Sequence, residues 1–281
     1  MSLQKDKSGR RYIQVEVEVP GTPEQVWEAI ATGPGISSWF VPAEMESGKD
    51  GRPERMVLHF GAGMDSAATV MAWDPPRKFA AESSIMGPGS PTMATEWTVE
   101  ARSGGTCIVR VVHSLFATND DWDNQLESVE SGWPAYFHLL RMKLTHFPGQ
   151  PGAGIHLLGM STHPEELAWS TLAGALNLAG AAKGERRSAS PDAAPPFAGT
   201  VERSGEAKHP HQLLLRLHEP APGTAMVCAV NCGGPVMAAV SLYLFGDRAA
   251  AIVDRDGPLW QAWMLKHFPP MGESASTAAG N

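Results

Sequence analysis

The stretch RYIQVEVEV, residues 11 to 19, alternates without a break. Ile13, Val15, Val17 and Val19 fall on one side, and Gln14, Glu16 and Glu18 on the other. A period of two predicts a strand with one buried face. GTPEQVWEAIATGPG follows and predicts a short helix: Thr22 caps it, Pro23 takes the first helical position, Glu24 suits the positive helix end, and Gly33-Pro34-Gly35 stops it. GISSWFVPAE adds a second helical turn carrying Trp39 and Phe40 ahead of Pro42. From Arg55 the period returns to two in RMVLHF, ATVMAWD, KFAAESS, MATEWTVEA and CIVRVVHSLF. Turn signals at Asp74-Pro75-Pro76 and Ser103-Gly104-Gly105 divide these runs, which predicts an antiparallel meander. The last run, DDWDNQLESVESGWPAYFHLLRMKLTHF, places Trp133, Phe137, Leu140 and Leu144 at helical spacing behind an acidic lead-in, with Pro134 as a point for a kink.

The same order then returns. GIHLLGMSTHPEELAWSTLAGAL at 154–176 parallels YIQVEVEVPGTPEQVWEAIATGP at 12–34. CGGPVMAAVSLYLFG at 232–246 matches SGGTCIVRVVHSLFA at 103–117 without a gap, and GPLWQAWMLKHFP takes the part of the earlier Trp-rich helix. Three matches in one order predict an internal duplication. Both long helices end in His-Phe-Pro, at 146–148 and 267–269. There the His reads as a cation at the negative helix end, the Phe as an apolar anchor and the Pro as a stop. The second copy is shorter. Its segment GAAKGERRSASPDAAPP reads as a flexible loop, and residues 271–281 as a disordered tail. The expected domains are therefore residues 10–150, a divergent repeat at 151–270, and the tail. An amphipathic helix beside a half-buried sheet gives an α+β arrangement, present twice.

Composition excludes several classes. With 30 acidic against 22 basic residues and a net charge of -8, the surface repels nucleic-acid backbones and anionic membranes. Cys107, Cys228 and Cys232 do not make a disulfide framework, and the polar N-terminus MSLQKDKSGRR reads as no signal peptide, so a cytoplasmic location is expected. Thr224 to Gly246 lacks Asp, Glu, Lys and Arg and is long enough to span a bilayer, but NCGGP at 231–235 breaks it into two arms of a hairpin, so no membrane insertion is expected. Cys228, Cys232, His209 and His211 do not have the spacing of a standard zinc site, and no metal or cofactor is expected. Nucleophile elbow, phosphate loop and dinucleotide fingerprint are all missing from the sequence.

VEVPGTPEQVWEAIATGPGISSWF, HFGAGMDSAATVMAWDPPRKFAAES, EWTVEARSGGTCIVRVVHSLF and GWPAYFHLLRMKLTHF together resemble the SRPBCC superfamily over residues 10 to 148. That is the helix-grip fold of START lipid-transfer domains and the birch pollen allergen. More narrowly they resemble the bacterial branch named after the activator of the ninety-kilodalton heat-shock protein ATPase. The resemblance implies a curved antiparallel sheet wrapped around the long C-terminal helix and enclosing a cavity. The second copy resembles the fold more loosely and lacks a counterpart of WFVPAEM.

Alternation then assigns the walls. Val109, Val111, His113 and Leu115 face inward opposite Arg110, and Thr95, Trp97 and Val99 face inward opposite Glu96, Thr98 and Glu100. Trp39, Phe40, Met56, Leu58, Trp73, Trp97, His113, Trp133 and Phe137 form the expected ligand-binding set for a small hydrophobic or aromatic molecule, although core packing accounts for each aromatic alone. His113 is the candidate acid or base of an alternative reading, a polyketide cyclase or aromatase; a hydrogen-bonded core histidine is its plainer explanation. A chaperone-accessory or protein-interaction module is the third reading, carried by the branch name alone.

Overall fold

The computed structural model describes residues 3–6, 10–61, 64–84, 91–116, 123–190, 193–231 and 234–270. The chain divides into two compact units, Met1–Gly149 and Gln150–Asn281. Each is an α+β helix-grip body in which an antiparallel sheet packs on a long C-terminal helix.

In the first unit the order is β1 (Gln4–Lys5), β2 (Arg11–Pro20), α1 (Pro23–Ala31), α2 (Gly33–Ser37), β3 (Ala43–Ser47), β4 (Pro53–His59), β5 (Asp65–Asp74), β6 (Lys78–Ser84), β7 (Thr92–Arg102), β8 (Thr106–Phe116) and α3 (Asp123–His146). The sheet runs β1-β2-β8-β7-β6-β5-β4-β3. The meander from β3 to β8 thus closes against β2, and α3 lies across the inner face of β2.

Local chemistry explains the boundaries. Thr22 accepts from the Gln25 amide while the Gln25 side chain accepts from the Thr22 amide, a complete capping box at the start of α1. Gly33-Pro34-Gly35 does end α1, but it also opens α2, because Thr32 Oγ1 accepts from the Gly35 amide at 3.0 Å and caps a second helix at once. Gly35 has no substitute there: a Cβ would lie 1.9 Å from the Glu28 carbonyl oxygen. Gly104 and Gly105 both adopt positive φ, +87° and +76°, in the β7–β8 turn. Strand β3, AEMES, carries too little apolar signal to be read from sequence, and it forms by pairing along β4.

The second unit has a similar order, without a counterpart of β1 or α2 and with one strand fewer after its first helix: β9 (Gly152–Ser161), α4 (Glu165–Ala175), β10 (Arg186–Ser188), β11 (Ala198–Arg203), β12 (Gln212–Glu219), β13 (Gly223–Asn231), β14 (Val236–Phe245) and α5 (Ala249–His267). Its sheet runs β10-β11-β12-β13-β14-β9. Thr224 to Gly246 is indeed a hairpin, β13 pairing with β14 from Gly223↔Leu244 to Asn231↔Val236. Among the described residues no helix is long and apolar enough to cross a membrane. Leu172, Phe197, Leu215, Val240, Leu242, Trp260 and Met264 belong to one continuous buried cluster between sheet and helices.

Two expectations for this unit are corrected. The segment read as a flexible loop is tied down where it is described: β10 pairs with β11, Ala181 and Ala194 are buried, and Trp263 Nε1 donates to the Ala193 carbonyl at 2.8 Å. Scattered small residues still pack when a tryptophan reaches across to them. His267 is not the cation at the end of α5, since burial and neighbouring Lys266 push its pKa down, leaving Lys266 to complement the helix end. Phe147 and Phe268 are the buried anchors expected after each helix. The tail at 271–281 and Cys232 lie outside the described residues.

Candidate functional site

The inner face of the first sheet, α1, α2 and the N-terminal half of α3 enclose a cavity of about 1020 Å³. Its floor is fully buried: Ile30 of α1, Trp39 after α2, and Phe79 and Ala81 of β6 are all 2% exposed or less. Phe60 and Met64, 42% and 46% exposed, also line the cavity, and with the exposed Asp65, Ser84 and Ser128 they mark its open side. An enclosed apolar floor with polar groups gathered at the opening is the form of a small-molecule site.

An aromatic frame holds the wall. Trp39 Nε1 donates to the Ala29 carbonyl at 2.8 Å, which fixes the indole at the end of α1. Its ring meets Trp97 edge to face at 6.3 Å. Phe40 stacks on Trp133 at 5.4 Å and meets Tyr136 edge to face at 4.5 Å, and Trp97 in turn meets Trp133 at 5.2 Å. These contacts span α3, β7 and the turn after α2. Each ring is thus buttressed by another.

His113 sits in the middle of this wall, 5% exposed and directly across from Thr95 in the β7–β8 pairing. Trp133 Nε1 lies 2.9 Å from His113 Nε2, and Thr95 Oγ1 lies 2.9 Å from His113 Nδ1. An indole N–H only donates, so Nε2 is the acceptor and the proton resides on Nδ1, where Thr95 accepts it. Burial lowers the pKa to about 4. His113 is therefore a neutral imidazole committed on both nitrogens, and acid–base work at Nε2 would first require breaking the bond to Trp133.

Of the nine residues read from sequence as a ligand-binding set, Trp39, Phe40, Met56, Leu58, Trp97, His113 and Trp133 line the cavity. Trp73 and Phe137 do not. A bulge between Val70 and Ala72 shifts the register of β5, and Trp73 packs against Trp27 at 4.9 Å and Phe79 at 5.8 Å, behind the cavity floor. Phe137, 2% exposed, packs against Trp133 at 5.2 Å and Trp97 at 6.1 Å, one layer behind the wall. Sequence reasoning missed Phe79, Tyr136 and a set of hydroxyls, Ser66, Ser83, Ser84 and Ser128. Phe79, Ala81 and Ser83 do share one face of KFAAESS by alternation, so the signal was present for that strand.

Of the zinc-like residues, Cys232 lies outside the described residues. Cys228 is buried, His211 Nε2 lies 3.1 Å from Glu166 Oε2, and among the described residues no group of three or more His, Cys, Asp and Glu is placed to hold a metal.

Residues 10–145 match the family described as polyketide cyclase / dehydrase and lipid transport. No curated protein matches the chain. Among solved structures, the chain is similar to the di-domain ARO/CYC BexL from the BE-7585A biosynthetic pathway, at 14% identity over 92% of this chain and 99% of that one, with a TM-score of 0.44. It is similar to DynU16, a putative protein in the dynemicin biosynthetic locus, at 18% identity over 90% and 96%, TM-score 0.40. It is also similar to the Aha1 dimer from Colwellia psychrerythraea, at 16% identity over 47% and 95%, TM-score 0.36.

Proposed function

Starting from the family match over residues 10–145, we propose that the first unit binds a flat, largely apolar small molecule in its cavity. The observation that carries this reading is the enclosed space of about 1020 Å³ walled by Trp39, Phe40, Trp97 and Trp133. Interiors are ordinarily packed to the density of organic crystals, so a void of this size between aromatic rings is space kept for an occupant. Rings offered both face-on and edge-on suit a planar ligand, which gains stacking in addition to burial. The family description supports it as well, since cyclised aromatic polyketides and lipids are both hydrophobic cargo. His113 contributes by holding the Trp133 ring in place through Nε2.

The test uses Nile red, a neutral planar dye. Titration of the full chain gives saturable, blue-shifted emission with one site per chain, and the Ala81→Phe variant, which fills the floor, loses it. Uptake that does not saturate, or that Ala81→Phe leaves intact, removes this reading.

A further inference from the structure

The charge around the cavity selects the class of ligand. All described lining residues fall within segments 23–48, 56–76, 79–101 and 111–140, and none of these segments contains a Lys or Arg. The same segments carry acidic residues, among them Glu127 and Glu130 in α3. Among the described lining side chains Asp65, at the mouth, bears the formal charge. His59 does not cancel it. Its Nδ1 lies 3.0 Å from Asp65 Oδ1 and its Nε2 lies 3.7 Å from Glu44 Oε1, so two carboxylates flank one imidazole and the trio stays net negative whether or not His59 is protonated. The remaining polar groups near the opening are hydroxyls: Ser66, Ser83, Ser84 and Ser128. Hydroxyls serve a ligand's own hydroxyl, carbonyl or ammonium, whereas a carboxylate entering here would meet like charge without a cation to receive it.

We infer that the cavity takes a neutral or amine-bearing polycyclic aromatic compound and rejects carboxylate-bearing amphiphiles, fatty acids included. This rests on the reading of the cavity as a ligand site. It deepens that reading by naming the head group: like charge at the mouth both repels an anion on approach and leaves it unpaired on arrival.

The experiment compares three pyrenes that share one ring system, 1-pyrenemethanol, 1-pyrenemethylamine and 1-pyrenecarboxylate, by quenching of tryptophan emission of the full chain at low ionic strength. The alcohol and the amine bind, and the carboxylate binds at least about fivefold more weakly than the alcohol, a gap that shrinks in about 0.5 M salt because the rim charge is screened. Asp65→Asn keeps the oxygen that faces His59 and removes the charge. Relative to the alcohol, it raises affinity for the carboxylate and lowers it for the amine. A carboxylate that binds within twofold of the alcohol, or ratios that Asp65→Asn and salt leave untouched, overturns the inference while the binding reading stands. Failure of all three pyrenes together with Nile red removes the reading and the inference with it.

Discussion

The indole Nε1 of Trp133, on α3, donates to Nε2 of His113, on β8, at 2.9 Å. One bond therefore joins the helix to the sheet across the cavity wall, with His113 as the acceptor.

Replacing His113 by Phe keeps the ring volume and removes both bonds. The buried Trp133 N–H loses its acceptor, and the first unit is destabilised by about 1–3 kcal/mol in urea unfolding. Nile red affinity falls as well, because the Trp133 ring is freed. Full retention of affinity would show that the ring is held by packing alone.

The same histidine makes stability depend on pH. Its pKa is about 4 in the folded unit against an ordinary value of 6.5, so between these values the unfolded chain binds a proton that the folded one does not. Stability is complete above about pH 6.5, is lost as the pH falls, and levels off below about 4. The full effect is on the order of 3 kcal/mol. Urea midpoints of the first unit at pH 7.5, 5.5 and 4.5 follow this slope and His113→Phe flattens it, while the second unit keeps a slope of its own from His156, which burial also pushes down to about 4.

Ala81→Phe distinguishes a cavity from a packed core. In a packed interior the added ring costs about 1–3 kcal/mol. Ala81 faces a void of about 1020 Å³, so the variant keeps wild-type stability or exceeds it while losing Nile red binding. A destabilisation of more than about 2 kcal/mol would mean that this wall has no free space in front of it.

Trp73→Ala separates the rings behind the floor from those that line the cavity. Trp73 is half-buried against Trp27 and Phe79, so its loss costs about 2 kcal/mol of stability and leaves pyrene and Nile red affinities within about twofold.

Gly159→Ala tests the anchor after α5. A Cβ at Gly159 would lie 2.5 Å from Phe268 Cβ, a distance no real packing shows. Displacing Phe268 costs the second unit about 1–3 kcal/mol by thermal unfolding, with ligand binding in the first unit unchanged.

Periodicity and capping determined, from the sequence by itself, most of the order of elements in the first unit though not β1 or β3, the inward faces of β2, β7 and β8, the start of α1 at its capping box, and the hairpin hidden in an apolar run of membrane length. These are local properties: a side chain's face follows from its position modulo two or 3.6, and a cap from three or four neighbours. Tertiary structure alone decided depth and partnership. It put Trp73 and Phe137 behind the wall, because a bulge and the second layer of a helix face are not periodic features. It paired His113 with Trp133 across the cavity wall, and it used Trp263 to pin part of a segment whose small residues look unstructured in isolation. The acidic mouth was in the composition all along. Only the cavity shows which of those carboxylates stands at a door, because burial and long-range pairing depend on groups that the fold, not the local pattern, brings together.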